Sequence, residues 1–421
     1  MTRVWVSIVV VIACAGAAHA DDTLTIDQAV QLALTRNERS RITELSVVEA
    51  DAGVARARVA FLPVLAANGA WTLHPVDKEP KNVETGDLAL TQPIFAPSAF
   101  PLYDQAKHLL EAQLAQTVDD KRLLAFDTAR AFFAVLLAQR VVDAAQRELD
   151  TATYNVKQTD AQYHAAIVSS NDVTRAKVDL AGSQRELATD QGNDNAALVA
   201  LGFLVNTPAP KKLTTPDALF AAGKQPVGSV DELVAQAVAH RPDLVARKAT
   251  AVAAHDFARE PRWRYLPSLG FLGELTTTSN NQPGTDRLDG FVALQASWTI
   301  WDGGAREADS KSRDAAAEIE DLQTKMLVRS VANDVRTAAV QLTAAQNALS
   351  GAQDAVDASR TSVVETSKLY DNGLAKAIEL VDANEQRFTA EVSYAEAEYA
   401  VANAYLALRQ AMGLTPLEDR K

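Results

Sequence analysis

The chain has one cysteine, Cys14, among 421 residues. That excludes a disulfide framework and any cysteine-based metal centre. Aromatic residues are scarce at 6 %, although hydrophobic residues reach 48 %. A chain this apolar is not disordered. Alanine makes up the difference with 78 residues, which suits closely approaching helices better than a thick globular core. Positive charge is in deficit: 41 Lys and Arg stand against 54 Asp and Glu, a net charge of -13. Such a chain does not present the basic field that nucleic acid requires. No segment offers 18 or more consecutive apolar residues. Entry into a membrane would therefore have to be as a β-barrel. Catalytic signatures are missing too. The histidines, at 19, 74, 108, 164, 240 and 255, never pair at metal-ligand spacing. There is no phosphate-binding loop, Rossmann glycine pattern or serine-nucleophile elbow. No enzyme activity, catalytic residue, cofactor or metal site is expected.

The first twenty residues stand apart. Arg3, an apolar stretch from Val4 to Ala18, and Ala18-His19-Ala20 have the order of a secretory signal peptide with an A-x-A cleavage site. Val11-Ile12-Ala13-Cys14 also resembles a lipoprotein box with Cys14 as the lipidated residue. Plain cleavage after Ala20 is the preferred of the two.

Proline is absent from two long windows, 102–207 and 284–415. Because proline breaks helix interiors, both windows are expected to be helical. Apart from Pro416, the remaining prolines cluster at 63–101, 208–242 and 261–283, where strands, turns and linkers are expected. The chain also repeats itself. Thr25-Ile26-Asp27-Gln28-Ala29-Val30 matches Ser229-Val230-Asp231-Glu232-Leu233-Val234 at an offset of 204. Phe61-Leu62-Pro63-Val64-Leu65 matches Tyr265-Leu266-Pro267-Ser268-Leu269 at the same offset. Two tandem copies of one unit follow: a signal peptide over 1–20, a first repeat over 21–207, a linker over 208–228 and a second repeat over 229–421.

Both helical windows carry one heptad. In the second copy Val331, Val335, Ala338, Leu342, Ala345, Leu349, Ala352, Val356, Ser359 and Val363 step by four and three. At an offset of 207 the first copy has Leu124, Thr128, Ala131, Val135, Ala138, Val142, Ala145, Leu149, Ala152 and Val156. Spacing of this kind specifies a left-handed coiled coil. Long helices over 102–164 and 305–371 would each run about 95–100 Å. Shorter return helices are expected over 168–204 and 375–411, and opening helices over 25–60 and 229–260.

The rest alternates. Leu65, Ala67, Gly69, Trp71 and Leu73 share one face of 64–74, with Asn68, Thr72 and His74 opposite. In 288–300, Val292, Leu294, Ala296, Trp298 and Ile300 face away from Asp289, Gln295, Ser297 and Thr299. Residues 83–95 and 268–278 are the plausible partners. Ten-residue strands of this kind fit a transmembrane barrel, and equally a soluble antiparallel sheet. Trp71, Trp263, Trp298 and Trp301 all fall in or beside these strands, where an interfacial girdle would place them. Polar turns at 77–80 and 283–286 would join each strand pair. Four strands cannot close a barrel in lipid, so three protomers with twelve strands give a sensible closure.

On these residues the chain resembles the TolC-like outer-membrane efflux family. The likeness rests on the opening Leu24-Thr25-Ile26-Asp27-Gln28-Ala29-Val30 and on Phe61-Leu62-Pro63. It also rests on Trp298-Thr299-Ile300-Trp301-Asp302-Gly303-Gly304, and on Tyr370-Asp371-Asn372-Gly373-Leu374-Ala375 followed by Glu379-Leu380-Val381-Asp382-Ala383. It implies a mainly α fold with a small β part. A trimeric 12-stranded transmembrane barrel would be continued by a coiled-coil helical barrel in the periplasm of a Gram-negative bacterium. It further implies an exit duct in the outer membrane that docks a periplasmic adaptor and an inner-membrane pump, the pump supplying the energy. The other class of function weighed is a soluble periplasmic coiled-coil structural or adaptor protein.

The resemblance places the gate at the hairpin tip. Glu379 and Asp382, at i and i+3, share a helix face, and three protomers would ring the closed entrance with their carboxylates. The first copy departs from this pattern. Ala166 stands where the second copy has Gly373, Asp172 matches Glu379, and Arg175 replaces Asp382. Arg175 is expected to pair with an acidic residue of a neighbouring hairpin. Adaptor docking would fall on the small apolar tips, Ala165, Ala166, Ile167 and Val168 in one copy and Gly373, Leu374 and Ala375 in the other. The membrane-interface aromatics would be Trp71, Trp298 and Trp301.

Overall fold

The computed structural model describes residues 23–73, 82–279 and 287–417. The signal-like segment with Cys14, and both expected turns at 77–80 and 283–286, lie outside the described residues. The chain is mainly helical with a small β part.

A capping box starts the first helix, α1 (Ile26–Arg36). The Thr25 hydroxyl accepts from the Gln28 amide, and the Gln28 side chain accepts from the Thr25 amide, which satisfies two orphan donors. The opening helix is not continuous, as it was expected to be. Asn37 adopts an extended backbone and caps a second helix, α2 (Glu38–Arg58). Its Oδ1 accepts from the Arg39 amide, and its Nδ2 donates to the Leu204 carbonyl at 2.8 Å. The second opening helix breaks at the matching residue. Arg241 lies between α6 (Val230–His240) and α7 (Pro242–Trp263). The residue before a proline is pushed out of the helical region, and proline itself suits a first helical position.

Each opening pair runs into a β-hairpin: β2 (Val64–Leu73) with β3 (Asn82–Phe95), and β5 (Ser268–Thr278) with β6 (Leu288–Ser297). Each hairpin leads to a long helix, α3 (Ala99–His164) or α8 (Ala305–Asp371), of 66 and 67 residues. At 1.5 Å per residue each is about 100 Å long. Each turns back into α4 (Ser170–Val205) or α9 (Ala377–Ala411). The order of elements thus runs twice along the chain.

All twenty heptad positions named from the sequence are buried or half-buried. One aromatic-rich core lies where α1, the end of α4 and the end of α9 meet the middle of α3. Phe126, Phe132 and Phe133 are fully buried there. Phe133 and Tyr399 both pack on Phe220, with ring centroids 5.5 and 5.1 Å away. Each such side chain contributes about 1.5–3 kcal/mol over its exposed state. Phe220 comes from α5 (Asp217–Gly223), inside the connecting segment. That segment also holds β4 (Lys212–Leu213), which pairs parallel with β1 (Thr23–Leu24).

The four longer strands form one antiparallel sheet in the order β2-β3-β5-β6. Leu65 pairs with Leu90, Ala67 with Leu88, Leu88 with Leu275, and Phe271 with Leu294. These apolar residues share one face. Asn68, Asp87, Glu274 and Asp289 share the other, where the Asn68 amide donates to Asp87 at 2.7 Å. The last strand ends at Ser297, short of the expected residue 300. Ser297 pairs with Ser268, the first residue of β5, so no partner remains to carry the ladder further.

Candidate functional site

The two hairpin tips fold alike. After α3, the amides of Ala166 and Ile167 donate to the carbonyls of Tyr163 and Gln162 at 2.9 Å each. After α8, Gly373 and Leu374 donate to Tyr370 and Leu369 at 2.9 and 2.8 Å. Both are Schellman turns, and both need a left-handed residue. Gly373 supplies it at φ +72, and Ala166 supplies it at φ +59. The departure of the first copy is therefore one of residue, not of backbone. The turns project Ile167 and Leu374 at equivalent positions, 72 % and 76 % exposed. Ala165, Ala166 and Gly373 are also exposed, and Val168 and Ala375 are half-buried.

Glu379 and Asp382 both lie near the start of α9 and are exposed. Asp382 lines a cavity of about 340 Å³ between the two hairpins, together with Asp172, Arg175, Asp179, Tyr370 and Glu385; Glu379 lies outside it. Asp172 has a second task. Its carboxylate accepts from the Ser169 amide at 3.0 Å and from the Ser169 hydroxyl at 2.7 Å, capping α4. Those bonds hold its pKa below the ordinary aspartate range. The Arg175 charge adds a smaller lowering effect on Asp172.

Sequence spacing did not reveal two contacts across the hairpins. The Tyr370 hydroxyl, on a buried ring, donates to Gln162 Oε1 at 2.6 Å and ties α8 to α3. Higher up, Glu148 of α3 and Asp179 of α4 approach Glu385 and Arg387 of α9. The Arg387 guanidinium lies 3.4 Å from Glu148. Burial pushes both Glu148 and Asp179 up, and Glu385 adds to the effect on Asp179. Each pair joins residues more than 200 positions apart in the chain, so no local pattern marks them.

At the other end of the molecule, Trp71 sits near the far end of β2, next to the hairpin turn, and is 64 % exposed. Trp298 and Trp301 follow β6 at the helix end of the sheet, 60 % and 82 % exposed. They thus flank an uncovered apolar face that includes the exposed Leu65, Leu288, Val292 and Leu294. Trp263 packs against Phe100 at the same helix end, with centroids 5.9 Å apart. No described helix is long and apolar enough to cross a membrane.

A family model, "Outer membrane efflux protein", matches residues 29–207 and 233–414. The chain belongs to the outer membrane efflux protein family. Its two matched segments coincide with the two runs of elements. Among curated relatives, the chain is 21 % identical to outer membrane protein TolC of Vibrio cholerae over 374 residues, 87 % of this chain and 85 % of that one. It is 26 % identical to the alkaline protease secretion protein AprF of Pseudomonas aeruginosa, covering 79 % of this chain and 70 % of that one. Among solved structures it is similar to CusC, with a TM-score of 0.81, 17 % identity and 92 % coverage of both chains. It is also similar to the open state of the Neisseria gonorrhoeae MtrE channel, with a TM-score of 0.78, 20 % identity, and 92 % and 89 % coverage. The protein is an outer-membrane channel of an efflux or secretion system, located in the outer membrane of a Gram-negative bacterium with a helical extension into the periplasm. The soluble adaptor reading gives way to it.

Proposed function

We propose that three copies of the chain form a passive exit duct of a tripartite system, gated at the periplasmic helical tip. The observation that carries this is the sheet. It has an uncovered apolar face, and β2 and β6 each leave one edge without a described partner. Open edges are not tolerated in lipid, and three copies would close them into twelve strands. In each copy, two tandem repeats (21–207 and 229–421, joined by the linker) supply a hairpin to the barrel and a helical hairpin to the duct. Trp71 on one side and Trp298 and Trp301 on the other suit the two membrane interfaces.

At the tip, Glu379, Asp382 and Asp172 would ring the entrance. Clustered carboxylates attract cations and repel one another. Ala165, Ala166, Ile167, Val168, Gly373, Leu374 and Ala375 form the surface offered to a periplasmic adaptor, which links the duct to an inner-membrane pump. Exposed Ile167 and Leu374 are its apolar contacts, since packing of helical tips is driven by such side chains. The test is conductance in planar bilayers. The wild type should form low-conductance, cation-selective channels. Glu379→Gln with Asp382→Asn should raise the conductance and lower the cation preference. Unchanged conductance and unchanged selectivity would remove these carboxylates from the gate, and recovery of a monomer without conductance would overturn the duct.

A further inference from the structure

A groove midway along the helical part holds a buried carboxylate that Asn193 bonds and that keeps one oxygen unsatisfied. Asp190 of α4 is 7 % exposed, and its Oδ2 accepts no hydrogen bond. The exit-duct reading gives it no task. The groove opens where α4 and α9 part over α3 and encloses about 610 Å³, within the range of small-molecule sites. Glu186 and Glu396 add two more carboxylates to its lining, and Leu137, Phe388 and Val392 supply apolar walls. No Lys, Arg or His lines it. Arg185 lies 3.8 Å from Glu186, but that side chain is mostly in solvent, where an ion pair is weak.

A buried carboxylate is stable only if it is paired or neutralised. Burial first, and then Glu186, push the Asp190 carboxyl up, so the site is short of positive charge. A bare metal ion does not suit the groove. Among the described residues no three His, Cys, Asp or Glu side chains stand at metal-binding geometry, and half the wall is hydrocarbon. We propose that this groove binds a small organic cation with an apolar body. The cationic centre rests on Asp190, and the body lies against Leu137, Phe388 and Val392. The inference builds on the exit-duct reading and names a class of cargo that would pause in the duct.

The test uses the full protein in lipid nanodiscs and equilibrium dialysis with tetraphenylphosphonium, with uncharged triphenylphosphine oxide as the comparison. The cation should bind the wild type, and Asp190→Asn should weaken that binding at least tenfold. Asp194→Asn, one turn further along α4 and outside the groove lining, should leave it unchanged. The neutral compound should not distinguish wild type from Asp190→Asn. Equal binding of the cation to wild type and Asp190→Asn, or no binding to wild type because a neighbouring copy fills the groove, overturns the site. Bilayer conductance of the same preparations keeps the two readings apart. Conducting channels without cation binding remove the site alone, whereas absent conductance removes the duct.

Discussion

The two tips provide a reciprocal experiment on backbone strain. Both turns require a left-handed residue, one supplied by Gly373 at φ +72 and the other by Ala166 at φ +59. A side chain in this region costs about 1–2 kcal/mol. Glycine avoids that cost but gives the unfolded chain more freedom, worth about 0.4–1 kcal/mol. Ala166→Gly should therefore stabilise the first tip by about 0.5–1 kcal/mol. Gly373→Ala should destabilise the second by a similar amount. No atom lies within 4 Å of a Cβ built on Gly373, so its effect is purely one of backbone, with no packing clash.

Global melting would not register either change, because the tips open locally. Hydrogen exchange of the capping amides, Ile167 in one tip and Leu374 in the other, reports the opening directly. A change of 1 kcal/mol alters their exchange by about fivefold. Exchange at Ile167 should slow in Ala166→Gly, and exchange at Leu374 should quicken in Gly373→Ala. If both amides exchange as in the wild type, or if both variants shift in the same direction, the strain argument fails.

Two further predictions concern contacts between the hairpins. Tyr370→Phe removes the hydrogen bond to Gln162 and should cost about 0.5–1.5 kcal/mol per protomer. In bilayers it should open more often than the wild type, and an unchanged open probability would show that the contact does not restrain the tip. Asp179 has its carboxyl pushed up by burial and by Glu385, so the fold binds its proton more tightly than the unfolded chain does. Its contribution to stability is therefore present below the ordinary aspartate range and is lost as pH rises through the raised folded pKa. Asp179→Asn should raise the melting temperature at neutral pH, and the gain should shrink under acid. A gain independent of pH would refute this.

Much of the architecture was legible because it depends on periodicity. The absence of proline between 102 and 207 located α3 and α4, and the matched heptads located the seam that the fold buries. Alternation around Leu65 and Val292 gave the strands and their faces. The breaks at Asn37 and Arg241 were missed, although Asn37 before Glu38 is a cap signature and Arg241 precedes a proline. The end of β6 could not be read from its own residues, because it is set by where β5 begins. Ala166 gives no hint of its left-handed backbone; the matching position of Gly373 was the only clue. Ser169 and Asp172 do have the spacing of a capping box, which points to a capping task for Asp172 beside the gate role. The grouping of Glu148, Asp179 and Glu385 comes from packing between hairpins, and spacing along one helix does not encode it.

The central seam of the sheet has a consequence for biogenesis. β3 pairs with β5 through partners such as Thr85 and Thr278, so the ladder joins segments separated by the hairpin of α3 and α4, the connecting segment, and α6 and α7. Ring closure over such a distance adds little to the equilibrium cost, since that cost grows only logarithmically with length. It does, however, delay folding, because nothing can nucleate the seam until the second hairpin has been made. During synthesis the first hairpin therefore waits with the β3 edge unpaired and its apolar face bare. Such a species is prone to aggregation. A chain stopped after residue 228 should remain in that state, and the growing chain should need a holding chaperone until residues 268–297 are made.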